Sequence, residues 1–166
     1  MDFKDVNEQR FSCRKFRDEK VSHKTLLEII NDAILAPSAV NYQPVRFILV
    51  EDENLIEEIK NTTRFLWNAK SIIVVYYDDR ISWKRHHDGM DFGIVDAALA
   101  CQNIMLSVTN HDLGTTFVGS FHEDELKVIL ELNENEHIVS LFPIGFKDEE
   151  KEHGKRLTLE EVTTFR

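Results

Sequence analysis

The segment "VSHKTLLEIINDAILAPS" (21–38) sets Leu26, Ile29, Ile30, Ala33 and Ile34 at helical spacing. Ser22 is placed to cap its start, and Pro37 to end it. "RFILVED" (46–52) is a short apolar run that predicts a buried strand, and "NLIEEIKNTT" a short half-exposed helix. "SIIVVYYDD" (71–79), rich in β-branched and aromatic residues, is the clearest strand signal in the chain. A polar loop, "ISWKRHHDGMD", separates it from "FGIVDAALACQNIMLSVTN" (92–110), which reads as a helix apolar around most of its circumference. Such a helix needs cover on nearly every side. "LGTTFVGSF" (113–121) reads as a turn entering an apolar strand, "HEDELKVILEL" as an amphipathic helix, and "HIVSLFPIGF" as a further strand. The charged tail "KDEEKEHGKRLTLEEVTTFR" has only Leu157, Leu159, Val162 and Phe165 as apolar anchors. With no repeat, low-complexity tract or linker, the pattern predicts one α+β domain over 1–166, with three or four strands and four or five helices.

Composition narrows the function. Apolar residues make up 42% and charged residues 30% of the 166, proportions of a globular chain. The formal charge of −10 disfavours duplex nucleic acid and anionic membrane surfaces, whose binding rests on Lys and Arg. There is no apolar run of 18 residues and no signal-like N-terminus, so the expectation is a cytoplasmic protein. Cys13 and Cys101 lack metal-like spacing.

Against that acidic background, "RFSCRKF" (10–16) concentrates three basic side chains and a hydroxyl. Arg10 and Arg14, four apart, would share a face on a helical turn with Ser12 nearby. Guanidinium groups bind phosphate in a bidentate fork, although a run of charge also serves as a plain solvated face. "APSAVNYQP" (36–44) offers free loop amides together with the donors and acceptors of Asn41 and Gln43, suited to a planar ring with imide edges, or else simply stops a helix. Gly114 and Gly119 permit close backbone approach to a ligand. No G-x-G-x-x-G or Walker-type loop occurs. His86, His87, Asp88 and Asp91 diverge as neighbours and lack a second ligand pair, so no metal site is expected.

Taken in order, "R-x-S-x-R", "APS-x-x-N-x-QP", "D-x-A-x-A-x-Q-N-x-x-L" running into "LGTTFVGSF", and "PIGF" resemble the nitroreductase family of FMN-dependent oxidoreductases. The resemblance spans Arg10 to about Val162. It implies a mostly antiparallel sheet flanked by helices, in an intertwined homodimer with flavin sites at the interface. It also implies that Arg10, Ser12 and Arg14 hold the flavin tail, and that Pro37, Ser38, Ala39 and Asn41, with Gln43, reach the flavin bound mainly by the other subunit. Phe117, Val118 and Gly119 would lie along the isoalloxazine ring. Lys155 and Arg156 would return to the phosphate, within a tail (147–166) that packs on the partner.

The implied activity is transfer of electrons from NAD(P)H to a nitroaromatic, quinone or similar acceptor by a ping-pong cycle, with no catalytic side chain because the flavin carries the chemistry. A flavin-binding protein that does not turn over (a store, sensor or cofactor chaperone) is the alternative. The chain departs from many relatives in having Val45, not an aromatic residue, after "QP", and in its short segments before 71 and between 78 and 91. These departures imply a small or differently roofed substrate pocket.

Overall fold

The run Ser71–Val75 is buried at every position, although a strand turns alternate side chains to opposite faces. Helices cover both faces, and that explains the unbroken apolar run. The computed structural model describes residues 2–152 and 154–166. Its strands are β1 (Val45–Val50), β2 (Ser71–Asp78), β3 (Leu113–Thr115) and β4 (Glu136–Phe146), and its helices α1 (Phe3–Gln9), α2 (His23–Ile34), α3 (Glu53–Lys60), α4 (Gly93–Asn110), α5 (Glu123–Ile129) and α6 (Leu159–Val162). The strands form one antiparallel sheet in the order β1-β2-β4-β3.

Ile73 and Val75 of β2 and Phe142 and Ile144 of β4 face α2 and α4, packing on Leu26, Ile29, Ala97, Cys101, Ile104 and Val108. Ile72, Val74 and Leu141 face the opposite layer, against Ile56 and Ile59 of α3 and Leu126 of α5. This α+β architecture, a small antiparallel sheet flanked by helices, is the one the sequence implied. Phe142 is fully buried between the layers, and its truncation to alanine costs about 3–5 kcal/mol.

Local signals account for most boundaries. The Ser22 hydroxyl accepts the Thr25 N–H at 3.1 Å, and α2 runs to Ile34 before the proline. α1 was not anticipated. Its signal is Asp2, whose carboxylate accepts the Asp5 N–H at 2.9 Å as an N-cap. After α1 the chain is extended, so Arg10 and Arg14 do not share a helical face. Arg10 has ψ 122°, Ser12 bridges Thr115, and the Cys13 N–H donates to Thr115 O at 2.9 Å. The segment thus lies along the β3 edge, with Cys13 and Phe16 buried against Ala69.

The polar stretch before α4 is more ordered than its composition suggests. Lys84 bridges Asp91 and pairs with it, Arg85 pairs with Asp88, and Trp83 packs edge-on against Phe92 at 5.0 Å. The two aspartates of the metal-like cluster are therefore committed to cations. At its base, His137 Nε2 and Asp79 Oδ2 lie 2.8 Å apart. Among the described residues, no helix is long and apolar enough to cross a membrane.

Candidate flavin site

Two groups of candidate residues lie at opposite edges of the sheet. At the β3 edge, Arg10, Ser12 and Arg14 take alternate positions of the extended segment, the spacing that puts residues on one face of a strand. Cys13, between them, points inward and is fully buried. The Arg14 N–H donates to Glu149 Oε1 at 2.5 Å, tying the segment to the start of the tail. Partial burial, and then the charge of Arg156 in the tail, push the Arg10 guanidinium below its ordinary pKa. Lys155 is exposed next to Arg156.

Beyond β3, Phe117 is 43% exposed and meets Phe142 edge-on at 5.6 Å. Val118 is buried, and its N–H and C=O both bond to Leu141 at 3.0 Å, so it can meet a ligand by packing but has no free backbone hydrogen bond to give one. Gly119 is exposed, and a Cβ there would meet nothing nearer than the Phe117 ring at 3.4 Å. Gly114 differs. A Cβ there would fall 2.6 Å from Cys13 Sγ, so this glycine serves internal packing and not ligand approach. Thr115 is buried beside Ser12, and its hydroxyl has no hydrogen-bond partner among the described residues.

The second group precedes β1. Ala39–Asn41 forms a single 3₁₀ turn, and Val40, Asn41 and Gln43 all have positive φ, at 54°, 57° and 52°. The left-handed region costs an L-residue about 1–2 kcal/mol, and it is a pronounced outlier for β-branched Val40. Bracing offsets the strain. Ser38 Oγ accepts the Gln43 N–H at 2.9 Å, and Arg46 Nη1 donates to Gln43 O and Val45 O at 2.8 Å each. The Ala39 N–H donates to Asp96 Oδ1 of α4 at 2.9 Å. A cavity of about 270 Å³ lies beneath, bordered by Pro37, Ser38, Gln43, Val45, Asp96 and Ala100.

The model of the nitroreductase family matches residues 8–64 and 60–146. The chain belongs to the nitroreductase family. A candidate NADH dehydrogenase/NAD(P)H nitroreductase of Archaeoglobus fulgidus is 30% identical over 86% of this chain and 84% of its own length. A nitroreductase family protein from Clostridium difficile 630 superposes with a TM-score of 0.94 at 25% identity, over 99% of this chain and 98% of its own. A structure from Exiguobacterium sibiricum 255-15, solved in complex with FMN, has the same fold, with a TM-score of 0.88 at 19% identity over 100% of this chain and 98% of that one. As a member of the family this protein is an enzyme, an NAD(P)H-dependent flavin oxidoreductase.

Asp96 and Thr115 lie within the motifs of the sequence, which give them no role, and Arg46 lies outside those motifs. Asp96 carried a signal, as the only charge in an apolar helix. Burial raises its carboxyl above the ordinary range, the Ala39 N–H opposes that, and Asp91 adds to it. The other two residues look ordinary in sequence and acquire their roles through the loop and the strand edge they touch.

Proposed function

We propose that the protein binds FMN at the β3 edge, works as a homodimer in the cytoplasm, and passes electrons from NAD(P)H to an electron-poor acceptor such as a nitroaromatic or quinone. The convergence of Arg10 and Arg156 carries this reading. Two guanidinium groups from opposite ends of the chain sit close enough for one to depress the pKa of the other. A terminal phosphate supplies the charge and the fork geometry that two guanidinium groups match. Ser12 and the bridged Thr115, whose hydroxyl has no partner among the described residues, lie on the same extended segment and strand edge as candidates for a ribityl chain. Exposed Phe117 and Gly119 leave room for a planar ring.

FMN held there would supply the hydride-transfer chemistry that links the nicotinamide to the acceptor, one substrate after the other. The chain binds and orients. Arg10, Arg14, Lys155 and Arg156 hold the phosphate end, Ser12 the ribityl chain, and the segment Phe117–Gly119 lies along the ring. The other half of the site comes from a second copy. Pro37, Ser38, Ala39, Asn41 and Gln43 precede β1, three strand spacings, or about 14 Å, from β3, too far for one chain to close both groups round the same ring. Uncovered apolar side chains favour the same assembly: Ile94, Val95 and Leu99 on α4, with Leu157, Leu159, Val162 and Phe165 in the tail.

Two measurements test the proposal. Cofactor released by heat runs as FMN on chromatography, and a preparation dominated by FAD refutes it. Initial velocities at several acceptor concentrations give parallel double-reciprocal lines, whereas converging lines exclude the ping-pong order.

A further inference from the structure

Asp96 is 2% exposed in the first turn of α4, among apolar neighbours that call for no charge. One carboxylate oxygen accepts the Ala39 N–H at 2.9 Å. The other has no partner among the described residues, and the side chain borders the cavity beneath Pro37, Ser38 and Gln43. A buried carboxylate satisfied on one side is costly, and a fold that keeps one needs a compensating gain.

The adjoining segment supplies that gain. Val40, Asn41 and Gln43 all sit in the left-handed region, and such strain persists only where the surroundings over-determine it. The bonds from Ser38 Oγ and Arg46 are local in sequence and shape the loop against itself. The bond from Asp96 is a tertiary one. It ties the first residue of the turn to α4, and so sets where the loop points.

We propose that Asp96 is a positioning residue. By holding the Ala39 N–H it keeps Ser38–Gln43 in the strained shape that presents Ala39 and Asn41 to the flavin of the neighbouring subunit. This rests on the reading of that segment as the part completing the neighbour's site. The requirement is for a hydrogen-bond acceptor at this point, and an amide oxygen of the same length meets it.

The experiment measures FMN affinity of the apo full-length protein by fluorescence quenching, and its association state by sedimentation, for wild type, D96N, D96A, V40G and D96A/V40G. The expected result is a Kd raised at least about tenfold in D96A, the scale of a buried N–H left without its acceptor, with D96N staying within about threefold of wild type. Glycine takes positive φ without steric penalty, so V40G relieves the loop, and D96A/V40G recovers part of the D96A loss. Three results overturn the proposal: D96A binding FMN like wild type, D96N losing as much as D96A, or a D96A chain that fails to fold or bind and is not restored by V40G. In that last case the carboxylate supports the core and not the loop. Wild type that binds no FMN overturns the flavin-site reading itself, a result distinct from each of these.

Discussion

The contact between Gly114 and Cys13 would couple the core to the proposed flavin site, and Gly114→Ala tests the coupling. An added Cβ falls 2.6 Å from Cys13 Sγ, 2.8 Å from Cys13 Cβ and 2.9 Å from Lys147 Cγ. The lysine can swing away. Cys13 cannot, because it is fully buried, its N–H is held by Thr115 O at 2.9 Å and its thiol donates to Lys15 O at 3.1 Å. Overpacking of this kind costs about 1–3 kcal/mol. In a chain of this length each kcal/mol lowers Tm by roughly 2–4 °C, so the expected drop is about 2–12 °C. The strain is relieved by moving the extended segment off β3, and that segment carries Arg10 and Ser12. A site contribution of about 1 kcal/mol lost this way weakens FMN binding roughly fivefold. Thermal melts of the apo protein and an FMN titration read the two effects, and Cys13→Ala in the same chain, by removing Sγ, recovers part of both. Tm within about 1 °C of wild type, or no relief from the double variant, refutes the argument.

Arg10→Ala and Arg156→Ala each weaken FMN binding roughly ten- to a hundredfold without a change in far-ultraviolet circular dichroism; unchanged affinity in both returns the pair to plain surface charge. Hydrogen bonds from Arg80 hold the Asp78 carboxyl down at about 2, so its stabilisation is present above the ordinary carboxylate range and is lost as pH falls through about 2. Arg80→Ala therefore flattens the acid limb of the stability curve measured by denaturant titration, and parallel curves for the two chains contradict it. The proposed homodimer is expected to bury from about 2,000 Å² and to persist at low micromolar concentration in sedimentation equilibrium. Deleting Leu157–Arg166 weakens both the dimer and FMN binding, and a folded, flavin-loaded monomer defeats the shared-site reading.

Elements whose periodicity matched their environment could be read directly from the chain. α2 shows its apolar stripe between a serine cap and a proline. β2 shows an unbroken β-branched run because both of its faces are covered. The ordered motifs also carried the family, which the family model matches over residues 8–64 and 60–146. α1 escaped because seven residues hold too few apolar positions for a period. The extended course of 10–16 escaped as well. Its conformation is set by bridges to Thr115 and Lys147, far along the chain, while its own residues are compatible with a helical turn.

The sequence by itself determined the layer composition, the family and the chemical character of each site segment. These depend on local propensity and side-chain type, and both travel with the residue. Tertiary structure alone decided that Gly114 serves Cys13, that the charge of Arg156 acts on Arg10, that Asp96 bonds a strained loop, and that the two groups of candidate residues stand at opposite edges of the sheet. Each of these is a relation between residues distant in the chain. Each is set by strand order and by the crossing of α4 over the sheet, and no periodicity within one segment encodes either.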